Sequence, residues 1–168
     1  TVDELIGRLK APDLVLVDCR FRLSDPDWGE AEYRSAHIPG AVYAHLDRDL
    51  SGRVQSGKTG RHPLPDPERL SETFGGWGIA SGVQVVAYDA DVGAIAARLW
   101  WLLRWAGHDS VAVLDGGWAA WQAQGLPTLA GSESNPHRLF DADFRSEMVA
   151  TAADVQADRL RTDRRVVD

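Results

Sequence analysis

The stretch that decides the fold is "VVAYDADVGAIAARLWW", residues 85–101. Its pattern indicates a buried strand that runs through a short turn into a helix. In open parallel α/β proteins, ligands bind in the crevice beyond the carboxyl ends of the strands, so this turn is a candidate for chemistry. The turn offers Asp89, Asp91 and the free backbone amides of a helix start, but no cysteine, serine or lysine.

Apolar runs of the same kind alternate with helical patterns along the chain. A short continuous apolar run is typical of a strand that is covered on both faces. A helical pattern that begins at a proline and ends at a glycine carries the usual start and stop signals. The alternation predicts a three-layer α/β/α fold, in which a central, mostly parallel sheet lies between helices. The predicted strands are residues 14–17, 41–44, 83–88 and 111–114, and the predicted helices are residues 67–78, 92–106 and 116–127.

Composition narrows the classes of partner. The chain has 168 residues and a formal net charge of −7, whereas a surface for nucleic acid or an anionic membrane requires clustered Lys and Arg. No apolar run reaches the roughly 18 residues of a membrane span. We therefore expect a soluble protein with one packed core and some surplus chain. Its expected partner is a small molecule or a protein, and neither nucleic acid nor a membrane.

The cysteine count bears on metal binding and on the compartment. Cys19 is the only cysteine, which excludes an intramolecular disulfide and a cysteine-rich metal site. A single cysteine fits a reducing compartment, so we predict the cytoplasm. The periplasm and the organelles stay open, because the sequence starts at Thr1 without a methionine and a targeting segment could have been removed.

The helix predicted over residues 92–106 has two apolar faces. Trp101 and Trp105 lie on one side of it with Arg98. Large aromatic side chains gain most when they are desolvated, so we expect a second contact layer on that side. Either a loop of this domain or a partner domain covers it, and Trp101 and Trp105 are our candidates for a domain interface. The other face is an ordinary core stripe, formed by Ile95, Leu99, Leu102, Leu103 and Ala106.

The carboxyl-terminal part of the sequence predicts a second domain. Residues 128–150 have the Pro, Gly, Ser and Asn content of a linker, and they are long for a loop inside one domain. Residues 151–168, "TAADVQADRLRTDRRVVD", align without a gap with residues 1–18, "TVDELIGRLKAPDLVLVD". This internal repeat predicts a first domain over residues 1–127, an interdomain linker over residues 128–150, and the first helix and strand of a truncated second domain over residues 151–168.

Five motifs, in a fixed order, carry a resemblance to a known family. They are "LVDCR" (16–20), "AHIPGAV" (36–42), "GRHPLP" (60–65), "VVAYD" (85–89) and "VLDGGWAAW" (113–121). Together they resemble the first half of the tandem-domain rhodanese-like sulfurtransferases, of the thiosulfate or 3-mercaptopyruvate type. "HIPGA" and "LDGGW" are the more specific of these motifs, whereas "VDxR" alone is not specific.

The resemblance implies an α/β/α fold and a reaction that needs no cofactor. A cysteine at the end of the "VVxY" strand attacks a sulfane sulfur, holds it as a persulfide and passes it to a thiophilic acceptor. Amides at a helix start lower the pKa of such a thiol and bind the anionic substrate. Asp89 stands at the position of that cysteine here. A carboxylate cannot carry a persulfide, so the resemblance implies that this copy has no catalytic residue, and we expect no metal site.

The same resemblance implies two partners. In tandem members of the family, a second domain of the same chain supplies the cysteine and most of the arginines that bind the small anionic sulfur donor. We therefore expect this first domain to be inactive alone, to line the active-site cleft and to stabilise the catalytic half. Arg61 and His62 are our candidates for the substrate cleft, because the matching loop reaches toward the partner domain in mercaptopyruvate-type enzymes. A histidine exposed on a loop is the alternative.

Other polar residues near the strand ends have structural interpretations. In the resembling family, Asp18 and Arg20 tie a strand end to the "HIPG" turn, and His37 fixes that turn by hydrogen bonding. Cys19 follows an apolar strand, where a lone cysteine is usually a small buried hydrophobe and not a nucleophile.

Two further functions stay open. "VVAYDADVG" also fits the first motif of haloacid-dehalogenase-type phosphatases, with Asp89 as nucleophile and Asp91 as acid/base beside Mg²⁺. That mechanism requires a later lysine, but Lys10 and Lys58 both precede the motif. The other possibility is a stand-alone, inactive rhodanese-like module for binding or regulation, which the repeat at residue 151 argues against.

Overall fold

The computed structural model describes residues 1–90, 92–159, 161–163 and 165. Asp91 lies outside the described residues, and so does most of the strand predicted at the end of the chain. Within the described residues, no helix is long and apolar enough to cross a membrane.

Four strands form one parallel sheet. β1 is Leu14–Asp18, β2 is Ala41–Tyr43, β3 is Gln84–Tyr88 and β4 is Val111–Val113. The order across the sheet is β2-β1-β3-β4, and all three pairings are parallel. The two central strands are the most apolar runs of the sequence, as expected of strands covered on both faces.

Helices cover both faces of the sheet, which confirms the predicted fold class. The helices are α1 Val2–Ile6, α2 Trp28–Ser35, α3 Pro67–Gly76, α4 Ala96–Trp105, α5 Gly117–Ala123 and α6 Ala152–Asp158, with a 3₁₀ turn at Ser146–Met148. Successive residues of a strand point to opposite faces, so Val15 and Val17 pack with α3 and α4, whereas Leu16 packs with α1 and α5.

Two helices differ from the sequence expectation. The patterns above do not predict α2, in which only Gly29 and Tyr33 are buried, so its apolar periodicity is weak. α4 begins at Ala96 and not at Val92, because the preceding residues form a turn. The predicted core stripe of α4 is confirmed, since Leu99, Leu102 and Leu103 are fully buried.

The segment of residues 129–149, called the strap below, lies against the domain. Leu129 pairs with His37 in an isolated antiparallel bridge. Farther along, the amide of Arg138 donates to the carbonyl of Gly75 at 3.0 Å, and the amide of Arg145 donates to that of Trp105 at 2.8 Å. Phe140 is buried against α3. A linker role for residues 128–150 stays a prediction, but the strap is not free of the domain.

Three glycines allow this close approach. A Cβ atom at Gly75 would lie 2.5 Å from the Arg138 carbonyl oxygen, and one at Gly78 would lie 2.8 Å from the Cβ of Asn135. At Gly107 it would lie 2.8 Å from the carbonyl oxygen of Asp143. Real Cβ atoms do not approach other atoms so closely, so the docked strap requires glycine at all three positions.

Replacing Gly75 by alanine tests this arrangement. Alanine normally favours a helix, but at this position its methyl group collides with the strap. We expect Gly75→Ala to lower the free energy of unfolding by about 1–3 kcal/mol. Urea denaturation followed by tryptophan fluorescence measures the loss, and faster tryptic cleavage after Arg138 reports release of the strap.

The neighbouring residue provides a matched control. Gly76 lies in the same helix, and a Cβ atom there meets nothing within 4 Å. Gly76→Ala should leave the free energy of unfolding unchanged or raise it by up to about 1 kcal/mol. Equal stability and equal tryptic cleavage of the two variants would show that the strap does not depend on Gly75.

Candidate functional site

The carboxyl ends of the parallel strands meet at one edge of the sheet. Asp18 ends β1 and Asp89 follows β3, and the loop that carries Asp47 and His62 follows β2. This edge is where the sequence predicts a site. Each of these side chains has a partner of its own.

The carboxylate of Asp89 occupies the turn before α4. Its Oδ1 accepts a hydrogen bond from the amide of Gly93 at 2.9 Å. Its Oδ2 accepts from the amides of Ile95 at 2.8 Å and Ala96 at 3.1 Å. Gly93 has a φ of +79°, a conformation that favours glycine and turns its amide toward the carboxylate. The anion-binding amides of the helix start are therefore filled by the chain itself.

This arrangement has a direct chemical consequence. Asp89 is only 4% exposed, and both of its carboxylate oxygens accept backbone hydrogen bonds. Such a carboxylate is not presented to a substrate as a nucleophile. It closes the turn between β3 and α4.

A buried ion pair holds the end of β1. The guanidinium of Arg20 donates to Asp18 through Nε at 2.9 Å and Nη2 at 2.6 Å, and the same Nη2 donates to the carbonyl of Ala36 at 2.6 Å. The hydroxyl of Tyr88 donates to Asp18 at 2.9 Å, and Arg20 lies over the ring of Trp118. Burial raises the pKa of Asp18, and Arg20 opposes that shift. The network links β1, β3 and the "HIPG" turn, which is a structural role.

Cys19 and His37 also have the surroundings of structural residues. Cys19 is completely buried, and burial raises the pKa of its thiol well above the ordinary value. A thiol that remains protonated is a poor nucleophile. His37 is completely buried, its Nδ1 lies 2.7 Å from the carbonyl oxygen of Tyr33, and its ring stacks on that tyrosine. His37 thus fixes the turn that follows α2.

His62 is held by a residue that the sequence analysis missed. Its Nε2 lies 2.9 Å from a carboxylate oxygen of Asp47, which orients the imidazole. The loop backbone is held by Arg98 of α4, whose guanidinium donates to the carbonyls of Leu50 at 3.2 Å, His62 at 3.2 Å and Pro63 at 3.1 Å. Arg61 is exposed. No local pattern connects Asp47 to His62, and only the fold brings them together.

The two candidate interface tryptophans differ in environment. Trp105 is 8% exposed, and Phe144 of the strap packs edge-on against it at 4.7 Å between ring centroids. Trp101 stacks on Trp105 at 5.8 Å and is half-buried. The strap, a segment of the same chain, therefore covers the ring of Trp105. An interface with another domain stays a prediction for both tryptophans.

In the described part of the chain, no three His, Cys, Asp or Glu side chains are grouped so that they could hold a metal ion. Asp91, which the phosphatase mechanism requires as acid/base, is not among the described residues.

Comparison with known proteins agrees with this geometry. Residues 1–124 match the family model of the rhodanese-like domain. The chain belongs to the rhodanese-like family. This confirms the resemblance inferred from the five motifs.

The relatives of this rhodanese-like chain are named sulfurtransferases. A probable 3-mercaptopyruvate sulfurtransferase of Pseudomonas aeruginosa is 48% identical over 158 residues, which cover 94% of this chain and 56% of that protein. A putative thiosulfate sulfurtransferase of Mycobacterium tuberculosis is 44% identical over 135 residues, which cover 80% of this chain and 47% of that protein. The chain thus spans about half the length of these curated relatives.

Solved structures show the same relationship. The crystal structure of SseA from Escherichia coli, a 3-mercaptopyruvate sulfotransferase, matches with a TM-score of 0.81 and 31% identity, over 93% of this chain and 59% of that one. The 3-mercaptopyruvate sulfurtransferase of Leishmania major matches with a TM-score of 0.73 and 32% identity, over 85% of this chain and 40% of that one. The rhodanese-like chain therefore has the fold of part of each of these longer proteins.

Removing the negative charge of Asp89 tests its role in the turn. In Asp89→Asn, a side-chain NH₂ group replaces an acceptor and faces amide donors. We expect the free energy of unfolding to fall by about 1–3 kcal/mol, because buried donors lose their acceptor. Urea denaturation measures the loss, and hydrogen exchange at Ile95 and Ala96 should accelerate. Asp115→Asn is the control, since Asp115 is exposed after β4. A loss of the same size in the control would contradict this role.

Proposed function

We propose that this rhodanese-like chain is the non-catalytic first domain of a tandem-domain sulfurtransferase. In that enzyme, a second domain moves a sulfane sulfur from thiosulfate or 3-mercaptopyruvate to a thiophilic acceptor through a cysteine persulfide. The first domain lines the cleft and stabilises the catalytic half. The observation that carries the proposal is the Asp89 carboxylate, which fills the amide cradle where the persulfide cysteine is expected.

Local structure at the repeat supports a second domain. Thr1 begins α1 with a capping box that includes Glu4, and Thr151 begins α6 with a capping box that includes Asp154. In α1, Val2 and Leu5 face the core, whereas Val155, which aligns with Leu5, is 36% exposed. α6 thus begins as a core helix does, but within the described residues no core packs against it. Residues 151–168 are accordingly proposed as the beginning of the second domain, after a linker over residues 128–150.

The proposed cleft wall is the loop that carries Arg61 and His62. Asp47 orients the imidazole of His62, and Arg98 anchors the loop to α4, so the loop has a fixed position at the carboxyl edge of the sheet. A cationic or neutral donor at this position suits the carboxylate or thiosulfonate oxygens of a small anionic donor. Trp101 is the proposed contact with the second domain on the adjacent face of α4. We place the enzyme in the cytoplasm, because a single cysteine suits a reducing compartment.

A stand-alone binding module is the second candidate. The same occupied cradle would suit an inactive domain that only recognises a partner. The exposed apolar position of α6 favours the tandem enzyme. The phosphatase alternative is weaker, because Asp89 is buried among backbone amides.

Sulfur transfer separates these candidates. We expect the purified 168-residue chain to form no thiocyanate from thiosulfate and cyanide, and no sulfide from 3-mercaptopyruvate and a thiol. We expect the full-length protein to catalyse at least one of these reactions. Turnover by the 168-residue chain would contradict its assignment as non-catalytic. A reading frame that ends near Asp168 would favour the stand-alone module.

His62 can be tested in the full-length enzyme. We expect His62→Gln to lower kcat/KM by about 10- to 100-fold, which corresponds to the loss of one hydrogen bond to a charged substrate. Asp47→Asn should produce a smaller loss, because it removes only the group that orients His62. His137→Gln is the control, since His137 is exposed on the strap beside α3. An unchanged kcat/KM in His62→Gln would contradict the proposed contact between His62 and the substrate in the cleft.

A further inference from the structure

One loop has a charge opposite to that of the chain as a whole. The formal net charge is −7, but no Asp or Glu lies between Leu50 and Pro65. The same stretch contains Arg53, Lys58 and Arg61, and all three are exposed. Within the described residues, none of the three belongs to an ion pair, whereas Arg34, Arg48 and Arg145 each pair with a carboxylate. We call residues 52–62 the basic loop.

The basic loop has defined structure at its base and at its tip. At the base, the amide of Gly52 donates to the carbonyl of Pro63 at 3.0 Å, and Arg98 donates to the carbonyls of His62 and Pro63. At the tip, the amide of Gln55 donates to the hydroxyl of Thr59 at 2.9 Å. The charges of Arg53 and Lys58 are therefore carried on a closed loop and not on a free segment.

The basic loop holds these charges at the carboxyl edge of the sheet, beside the proposed cleft. His62 lies at its base, on the carboxyl edge of the sheet. Lys10 and Arg138, which belong to no ion pair in the described part of the chain, lie together at the opposite edge, where they line one crevice with Pro12 and Gly40. The molecule thus carries exposed cations at both ends of the sheet, and those of the basic loop lie beside the proposed cleft.

We propose that Arg53 and Lys58 steer small anionic substrates into the cleft without contacting them. This inference rests on the proposed function. A chain with a net negative charge repels an anionic donor, and a local positive potential offsets that repulsion at the entrance. Steering of this kind raises association rates about 10- to 1,000-fold in favourable cases, and it is screened by salt. It acts before binding, so it changes kcat/KM and leaves kcat unchanged.

The experiment uses the full-length enzyme with thiosulfate, a divalent anion. In Arg53→Gln/Lys58→Gln, Arg61 remains, because it is assigned to the cleft itself. At about 10 mM ionic strength, where the Debye length is about 30 Å, we expect kcat/KM to fall about three- to tenfold with kcat unchanged. At about 300 mM the variant and the wild type should converge. The wild-type kcat/KM should also decline more steeply with salt than that of the variant.

The control is Lys10→Gln/Arg138→Gln, which changes the net charge by the same amount at the opposite edge. It should behave as the wild type does at every salt concentration. The inference is overturned by a wild-type kcat/KM that does not depend on salt, by an equal loss in the control, or by a fall in kcat that accounts for the loss. If the full-length wild type transfers no sulfur at all, the proposed function fails instead.

Discussion

The hydrogen bonds between Asp89 and the amides before α4 are the interaction on which the carboxyl edge of the sheet depends. Amides at a helix start favour an anion, both through their free N–H groups and through the helix dipole. A catalytic domain can meet that demand with a thiolate and an anionic substrate. Here the chain meets it with its own carboxylate. Because Asp89 is buried and both of its carboxylate oxygens accept these hydrogen bonds, the turn before α4 is held by the chain itself.

The docking of the strap on the domain is a second constraint, because it fixes the course of residues 129–149. Its backbone hydrogen bonds include those to carbonyls at the ends of α3 and α4, and its aromatic side chains cover apolar surface there. Glycine at Gly75, Gly78 and Gly107 leaves room for it. The strap is thus held to the domain at several points between Leu129 and Arg145.

The sequence alone was sufficient to predict the sheet, the core face of α4 and the position of Asp89, because each depends on a local apolar pattern or on a motif. It was insufficient where the deciding partner is distant. Asp47 and His62 are separated by a loop, and α2 has too few apolar residues to show a period. The strap has the composition of a linker, yet backbone hydrogen bonds and a few aromatic contacts dock it. The predicted start of α4 was wrong, because the amides of residues 93–96 form a turn around the carboxylate of Asp89.

These contacts form one continuous path along the edge. Asp89 fixes the start of α4 through the amides of Ile95 and Ala96. Arg98, in the first turn of that helix, donates to the carbonyls of His62 and Pro63 and so fixes the loop. Asp47 then sets the orientation of the His62 ring. Through α4 and Arg98, Asp89 thus acts on the position of the loop that carries His62, the residue proposed to contact the substrate.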